Sequence, residues 1–208
     1  MPAAARDPDR TRTAILAATA ELIGTHGLEA TRHRAIAEQA GVSLGSLSNH
    51  FSTREELLHG ALHYLSAIER QRLDQWALSL QTSALNLEEW LARIAREVAL
   101  DVQSNRTRWL ALVELQLACA RDPKLRPAME TLRDSYRTAL TLGFRAAGFA
   151  DPASVADQTI AAATGLILKH LAYPSDDFET RLQTLIVALV SGTKEERGHH
   201  DYDDNGRR

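Results

Sequence analysis

A single cysteine, Cys119, in 208 residues excludes an internal disulfide and any cysteine-rich zinc site. Helix breakers are scarce as well: 11 Gly and 6 Pro leave room for long uninterrupted helices. β-branched aliphatics are few, with 7 Val and 8 Ile against 33 Ala and 30 Leu. Small and straight-chain apolar residues favour helix, so the composition reads as all-α. No apolar run approaches the ~20 residues of a membrane span. The first fifteen residues, MPAAARDPDRTRTAI, lack the pattern of a signal peptide. The expectation is a soluble, reduced, cytoplasmic chain with no membrane partner. An excess of either charge is also missing: 24 Lys and Arg stand against 27 Asp and Glu, for a net charge of −3. A nucleic-acid role must therefore come from local placement of charge. What is present is a 44% hydrophobic content, enough for a real core and too much for wholesale disorder.

The pattern along the chain is a succession of amphipathic helices without internal repeat. Ile15, Ala18, Leu22 and Ile23 define one face of a helix from Asp9 to His26, which Gly27 ends. Thr31 is a suitable N-cap for a helix over 32–40, and Ser43 for a short one over 44–50. Ser52-Thr53-Arg54-Glu55-Glu56 contains two overlapping capping boxes, Ser52 with Glu55 and Thr53 with Glu56, opening a long helix to about Leu80. Beyond a polar linker at 81–86, helices are predicted at about 87–103, 106–120, 123–147, 152–172 and 176–191. The division expected is a small N-terminal domain, 9–54, a larger helical domain, 55–192, and a disordered tail, 193–208.

The informative stretch is Thr31–Arg54, TRHRAIAEQAGVSLGSLSNHFSTR. It reads as helix, tight turn at Gly41-Val42-Ser43, and second short helix. Gly41 supplies the positive φ of a sharp turn, Ala37 permits close crossing, and Val42 plugs the space between the helices. The second helix has Leu47 and Phe51 as inward anchors. Its remaining residues, Leu44, Gly45, Ser46, Ser48, Asn49 and His50, are small or polar. Such a surface packs poorly in a core but suits a helix entering the DNA major groove. Over residues 1–52 five Arg equal five acids, so a DNA face requires Arg10, Arg12, Arg32, Arg34 and Arg54 to gather on one side.

IAEQAG, GVSLGSLSNHF and STREELL together resemble the signature of the TetR family of transcriptional regulators, strongly over residues 10–65. The likeness extends more weakly to about residue 192 through helix number and the stretch ALVELQLACARDPKLRPAM. It implies a three-helix DNA-binding domain with a helix-turn-helix, joined by a long fourth helix to an effector-binding and dimerisation domain. The partners implied are a double-stranded DNA operator, a small-molecule effector and a second copy of the chain, with release of a repressor by the effector. By position, the resemblance makes Arg34 a base contact, and puts Thr31 and His33 near phosphate. Leu44, Gly45 and Asn49 fall at base-facing positions, and Ser46 and His50 at phosphate- or base-facing ones. Arg54 replaces the usual lysine, keeping a cation for a phosphate. Ser48 stands where the family usually has a tyrosine; it keeps a hydroxyl but loses several ångströms of reach.

The remaining candidates are weaker. Trp90, Trp109, Tyr136 and Phe144, with His170, suit the lining of a mostly apolar effector cavity, although core packing uses the same residue types. Phe178, Leu182, Leu185, Ile186 and Leu189 form a 3.6-period stripe, and Ala161–Gly165 is a small-residue face. The resemblance makes Leu182, Leu185, Ile186 and Leu189 a dimer interface; packing within the chain would use the same stripe. His59 and His63 at i, i+4 with Glu56 carry zinc-like spacing. Gly60, however, occupies the position where a zinc-protease helix needs Glu, so a solvated face is the better reading. His199 and His200 with the neighbouring aspartates are read as polar tail. Cys119 is read as a small core residue. No cofactor, metal or catalytic constellation is implied. The competing readings are a helical metal-carboxylate enzyme, which metal content would reveal, and a protein-binding helical adaptor, which would bind no genomic fragment.

Overall fold

The structure, a computed structural model, describes residues 8–81 and 86–198. The regular structure there is helical: α1 Pro8–His26, α2 His33–Gln39, α3 Leu44–His50, α4 Arg54–Gln81, α5 Leu87–Ser104, α6 Arg106–Arg121, α7 Arg126–Ala146, α8 Pro152–Ala172 and α9 Phe178–Gly198. Single 3₁₀ turns occupy Leu28–Ala30 and Pro123–Leu125, so the predicted helix over 123–147 begins three residues late. Asp122 caps that turn by accepting from the Lys124 amide at 3.0 Å. The helix α9 continues six residues into the segment expected to be disordered. Thr193, Lys194, Glu195, Glu196 and Arg197 extend a helix that is already nucleated, which costs far less than starting one. The rest of that segment, 199–208, lies outside the described residues.

The chain packs as two compact units. Among the described residues, one runs to residue 72 and adds 105–133; the other comprises 73–104 and continues from 134. In the first unit Ile15, Leu16, Ile36, Ala37, Leu47, Phe51 and Leu57 form the core of the N-terminal helices, with Val42 packed against it as expected. The helix α6 lies against α1 in the same unit. Gly24 permits this approach, since a Cβ there would collide with the Thr107 carbonyl. Gly60 does the same within α4: a Cβ would meet Leu16 at 2.7 Å and the Phe51 ring at 3.1 Å. Deeper along α4, Glu69 is fully buried between two guanidinium groups, Arg72 at 2.8 Å and Arg108 of α6 at 2.8 Å.

In the second unit α9 packs on α5 and α8. Phe178, Leu182, Ile186 and Val190, spaced four apart, are all at most 3% exposed. Leu182 and Ile186 therefore face their own chain, and the expectation that they form a dimer surface fails: neither has area left for a partner to cover. The stripe is apolar because it meets α5 and α8. Leu185 and Leu189 are half-buried. His170, expected near a cavity, is instead a core residue. Its ring stacks on Phe178 at 4.0 Å between centroids, and its Nδ1 accepts from the Ser175 amide at 3.3 Å, fixing the α8–α9 turn.

Candidate nucleic-acid interface and effector region

The helix-turn-helix is built by local chemistry. Gly41 has φ 63°. The Val42 amide donates to the Ala37 carbonyl at 3.0 Å, closing the turn over the small residue. Ser43 caps α3 by accepting from the Ser46 amide at 3.0 Å. Leu47 and Phe51, 0% and 3% exposed, anchor α3 inward. That leaves Leu44, Gly45, Ser48 and Asn49 exposed along one face, with Ser46 and His50 half-buried at its margins. Leu44 is 51% exposed, an apolar side chain in water on a face otherwise made of small and polar residues. Space around the missing Cβ of Gly45 is open, so a second backbone can approach closely there. On α2, Arg34 is exposed and His33 half-buried.

Two residues depart from their predicted places. Thr31 is not the N-cap of α2. That position belongs to Arg32, whose side chain makes no capping bond. Thr31 is 2% exposed, and its hydroxyl donates to the Leu28 carbonyl at 2.6 Å, so it has no surface to offer a phosphate. The same two oxygens also serve Arg54. The guanidinium reaches back from the first turn of α4, donating through Nε to Thr31 Oγ1 at 3.1 Å and through Nη2 to the Leu28 carbonyl at 2.6 Å. Arg54 keeps a side-chain exposure of 48%, but one edge of its fork is committed to protein acceptors.

Beside α3 lies an open groove of about 610 Å³ lined by Arg12, His50, Phe51, Thr53, His59 and His63, among others. Arg12 sits over the Phe51 ring at 5.2 Å, an arrangement that leaves the edge of its guanidinium available. The two carboxylates in the wall are engaged elsewhere. Glu56 accepts from the Ser52 amide at 2.7 Å and the Ser52 hydroxyl at 3.0 Å, while its own amide donates to Thr53 Oγ1 at 3.1 Å. The bonds from Ser52, the amide first, hold the Glu56 carboxyl below its ordinary range. Of the two overlapping capping boxes, the one between Thr53 and Glu56 is thus closed. Glu55 instead bonds Lys124 at 3.0 Å, which pushes the lysine pKa up. Arg10, Arg12, Arg32, Arg34 and Arg54 are all exposed, as a DNA-facing role requires.

The four effector candidates are divided by the packing. Trp90, Tyr136 and Phe144 belong to the second unit and Trp109 to the first. Trp90 meets Phe144 edge-on at 5.5 Å, and Phe149, which the sequence did not single out, meets Phe144 at 5.4 Å. Phe144 is fully buried, whereas Trp90, Tyr136 and Trp109 keep partial exposure. Gly143 makes the cluster possible, because a Cβ there would occupy the place of the Trp90 ring. Cys119 is buried in α6, and loss of solvent pushes its thiol pKa up, against the opposing pull of Arg126. A thiol so placed is a poor nucleophile or sensor. Among the described residues no group of three or more His, Cys, Asp or Glu is placed to hold a metal, and no helix is long and apolar enough to cross a membrane.

Comparison with known proteins agrees with this geometry. Residues 15–61 match the family model for bacterial regulatory proteins of the tetR family, and residues 87–192 match the model for a tetracyclin repressor-like C-terminal domain. No curated protein matches the chain. Among solved structures, a TetR-family member from Streptomyces coelicolor A3 is 27% identical with a TM-score of 0.69, over 86% of this chain and 97% of that one. The multidrug binding protein EbrR, complexed with imidazole, is 28% identical with a TM-score of 0.66, over 86% and 93%. A transcriptional regulator from Rhodococcus sp. Rha1 shares the fold at 23% identity, with a TM-score of 0.72 over 89% and 97%. With a helix-turn-helix whose outer face is free of core duties and a family match over both halves, the chain belongs to the TetR family of DNA-binding transcriptional regulators.

Proposed function

We propose that the chain is a ligand-responsive homodimeric repressor that leaves a near-palindromic operator when a small molecule binds among its middle helices. The observation that carries the DNA-reading part is the outer face of α3. Leu44, Gly45, Ser48 and Asn49 are exposed while Leu47 and Phe51 hold the helix from behind. Arg34 has the forked donors that suit guanine O6 and N7, and Asn49 suits adenine N6 and N7. Leu44 offers apolar contact to a thymine methyl. His33, Ser46 and His50 flank these as phosphate contacts, which orient without specifying sequence. A cation at Arg12 supports the same backbone path.

Dimerisation is assigned to the outer faces of α8 and α9 rather than to the buried stripe. Ala161, Thr164, Gly165, Leu168 and Ala172 are exposed on α8, and Thr184, Ala188 and Ser191 on α9, with Leu185 and Leu189 at the margin. Space around the missing Cβ of Gly165 is open, and Leu168 is 50% exposed, so two copies can approach closely about a two-fold axis. For the effector, Trp90 at the edge of the Phe144 cluster is the residue favoured as a contact. EbrR, a structural relative, is a multidrug binding protein, which favours an apolar, aromatic-lined site here too. The effector then acts through its differential affinity for two dimer conformations with different spacing of the α3 helices.

The test begins with selection of bound fragments from the source genome, followed by a binding matrix over variants of the selected site. Arg34→Ala and Asn49→Ala should each cost about 1–3 kcal/mol per half-site and relax preference at one base position. Ser48→Ala should change little. A uniform loss across all sequences for both Arg34→Ala and Asn49→Ala would remove the base-reading assignment.

A further inference from the structure

Arg54 opens α4, and the family pattern reserves its position for a cation that meets a DNA phosphate. The geometry points to a different task. One edge of the guanidinium, Nε with Nη2, spans two acceptors on the connection between α1 and α2: Thr31 Oγ1 at 3.1 Å and the Leu28 carbonyl at 2.6 Å. Thr31 closes the triangle by donating to that same carbonyl at 2.6 Å. The threonine is 2% exposed, so that corner of the triangle lies in the interior, while the guanidinium corner is open to solvent. Two residues after Thr31, α2 begins with His33 and Arg34. The cap that would otherwise fix this helix start is missing, because Arg32 occupies the N-cap and makes no side-chain capping bond. The latch stands in for the cap.

We propose that Arg54 is a positioning residue, a two-point latch that holds the start of α2, and with it Arg34, in register against α4. The chemistry explains why arginine stands here rather than the family's usual lysine. A guanidinium edge presents two coplanar donors at fixed separation, whereas an ammonium is a point charge on a flexible stem. Next to it, Glu55 bonds Lys124 at 3.0 Å, on the turn between α6 and α7. The first turn of α4 is therefore tied on one flank to the segment that presents Arg34, and on the other to the turn that follows α6.

The inference rests on the proposed DNA-reading role of α2 and α3, and the experiment separates the two. Wild-type affinity for a selected operator and for random DNA is measured over a range of salt concentrations; absence of any preference for the operator ends the DNA-reading role itself. With preference established, four variants are compared: Arg54→Ala, Arg54→Lys, Thr31→Val and Thr31→Ser. Circular dichroism and thermal melting select the folded ones.

A latch requires Thr31→Val, which changes no charge, to lose operator affinity by about ten-fold, the scale of one charge-assisted hydrogen bond. Binding to random DNA and the salt slope should stay unchanged. Arg54→Ala should lose operator affinity at least as far, the double variant should be no worse than Arg54→Ala alone, Arg54→Lys should fail to restore affinity, and Thr31→Ser should restore it. A phosphate contact gives the opposite result: Arg54→Ala lowers the magnitude of the salt slope by about 1 per subunit on every sequence, Arg54→Lys is sound, and Thr31→Val is silent. That outcome overturns the latch.

Discussion

Removing the Glu69 carboxylate should be among the most damaging single changes available in the first compact unit. The carboxylate is fully buried and lies 2.8 Å from a nitrogen of Arg72 and 2.8 Å from one of Arg108, whose side chains are 22% and 16% exposed. Breaking a buried pair by deleting one partner costs about 3–5 kcal/mol, because the surviving charge stays desolvated without its counter-ion. Both arginines retain a route to water along their flexible stems, which places Glu69→Ala near the lower end, at about 3 kcal/mol. Against a typical total of about 5–15 kcal/mol that is a large fraction. For a chain of this size it corresponds to a fall in Tm of about 6–12 °C.

Urea unfolding at one fixed protein concentration is the assay, since dissociation of a dimer would otherwise enter the midpoint. Arg108→Ala should also destabilise, and the double variant should show a coupling of at least about 1.5 kcal/mol. Replacing Glu69, Arg72 and Arg108 together by apolar residues of similar volume should recover most of the loss, as the desolvation penalty disappears with the charges. A Glu69→Ala loss under about 1 kcal/mol would refute this reasoning and place the carboxylate in contact with water.

The other expectations are simpler. Leu168→Glu on the exposed face of α8 should give monomers in light scattering without loss of helix content. Leu182→Ala, in the core, should cost about 2–5 kcal/mol of stability instead; the reverse pattern would put the interface on the buried stripe. Gly143→Ala must displace the Trp90 ring, so tryptophan emission should shift toward the red and any ligand site at Trp90 should weaken; an unchanged spectrum would show that the ring was never seated there. Glu56 has its carboxyl pKa lowered from an ordinary value of 4.5 by the Ser52 amide and hydroxyl. Its contribution to stability is therefore complete above that ordinary value and is lost as pH falls through the lowered one. Glu56→Gln should flatten this part of the acid limb, and an unaltered profile would assign it to another carboxylate.

Much of the molecule was legible from neighbours in sequence. Helix ends at Gly27 and Gly41, the Ser43 cap and the Thr53–Glu56 box depend on bonds that reach three to five residues, and each formed where the sequence placed it. The same holds for the outer face of α3: seven residues anchored by Leu47 within and Phe51 just beyond leave few ways to turn the helix. Thr31 and Arg54, by contrast, stand 23 residues apart, and no local rule says that a guanidinium at one helix start will claim the hydroxyl expected to cap another. Glu69 and Arg108 sit on different helices and meet through tertiary packing. The α9 stripe was visible as a stripe, but hydrophobic periodicity records only that one side avoids water. Whether that side meets its own chain or a second copy was decided by the packing of α5 and α8 against it. Periodicity and capping are properties of adjacent residues; the partner of a buried charge or an apolar face is a property of the space the other helices leave.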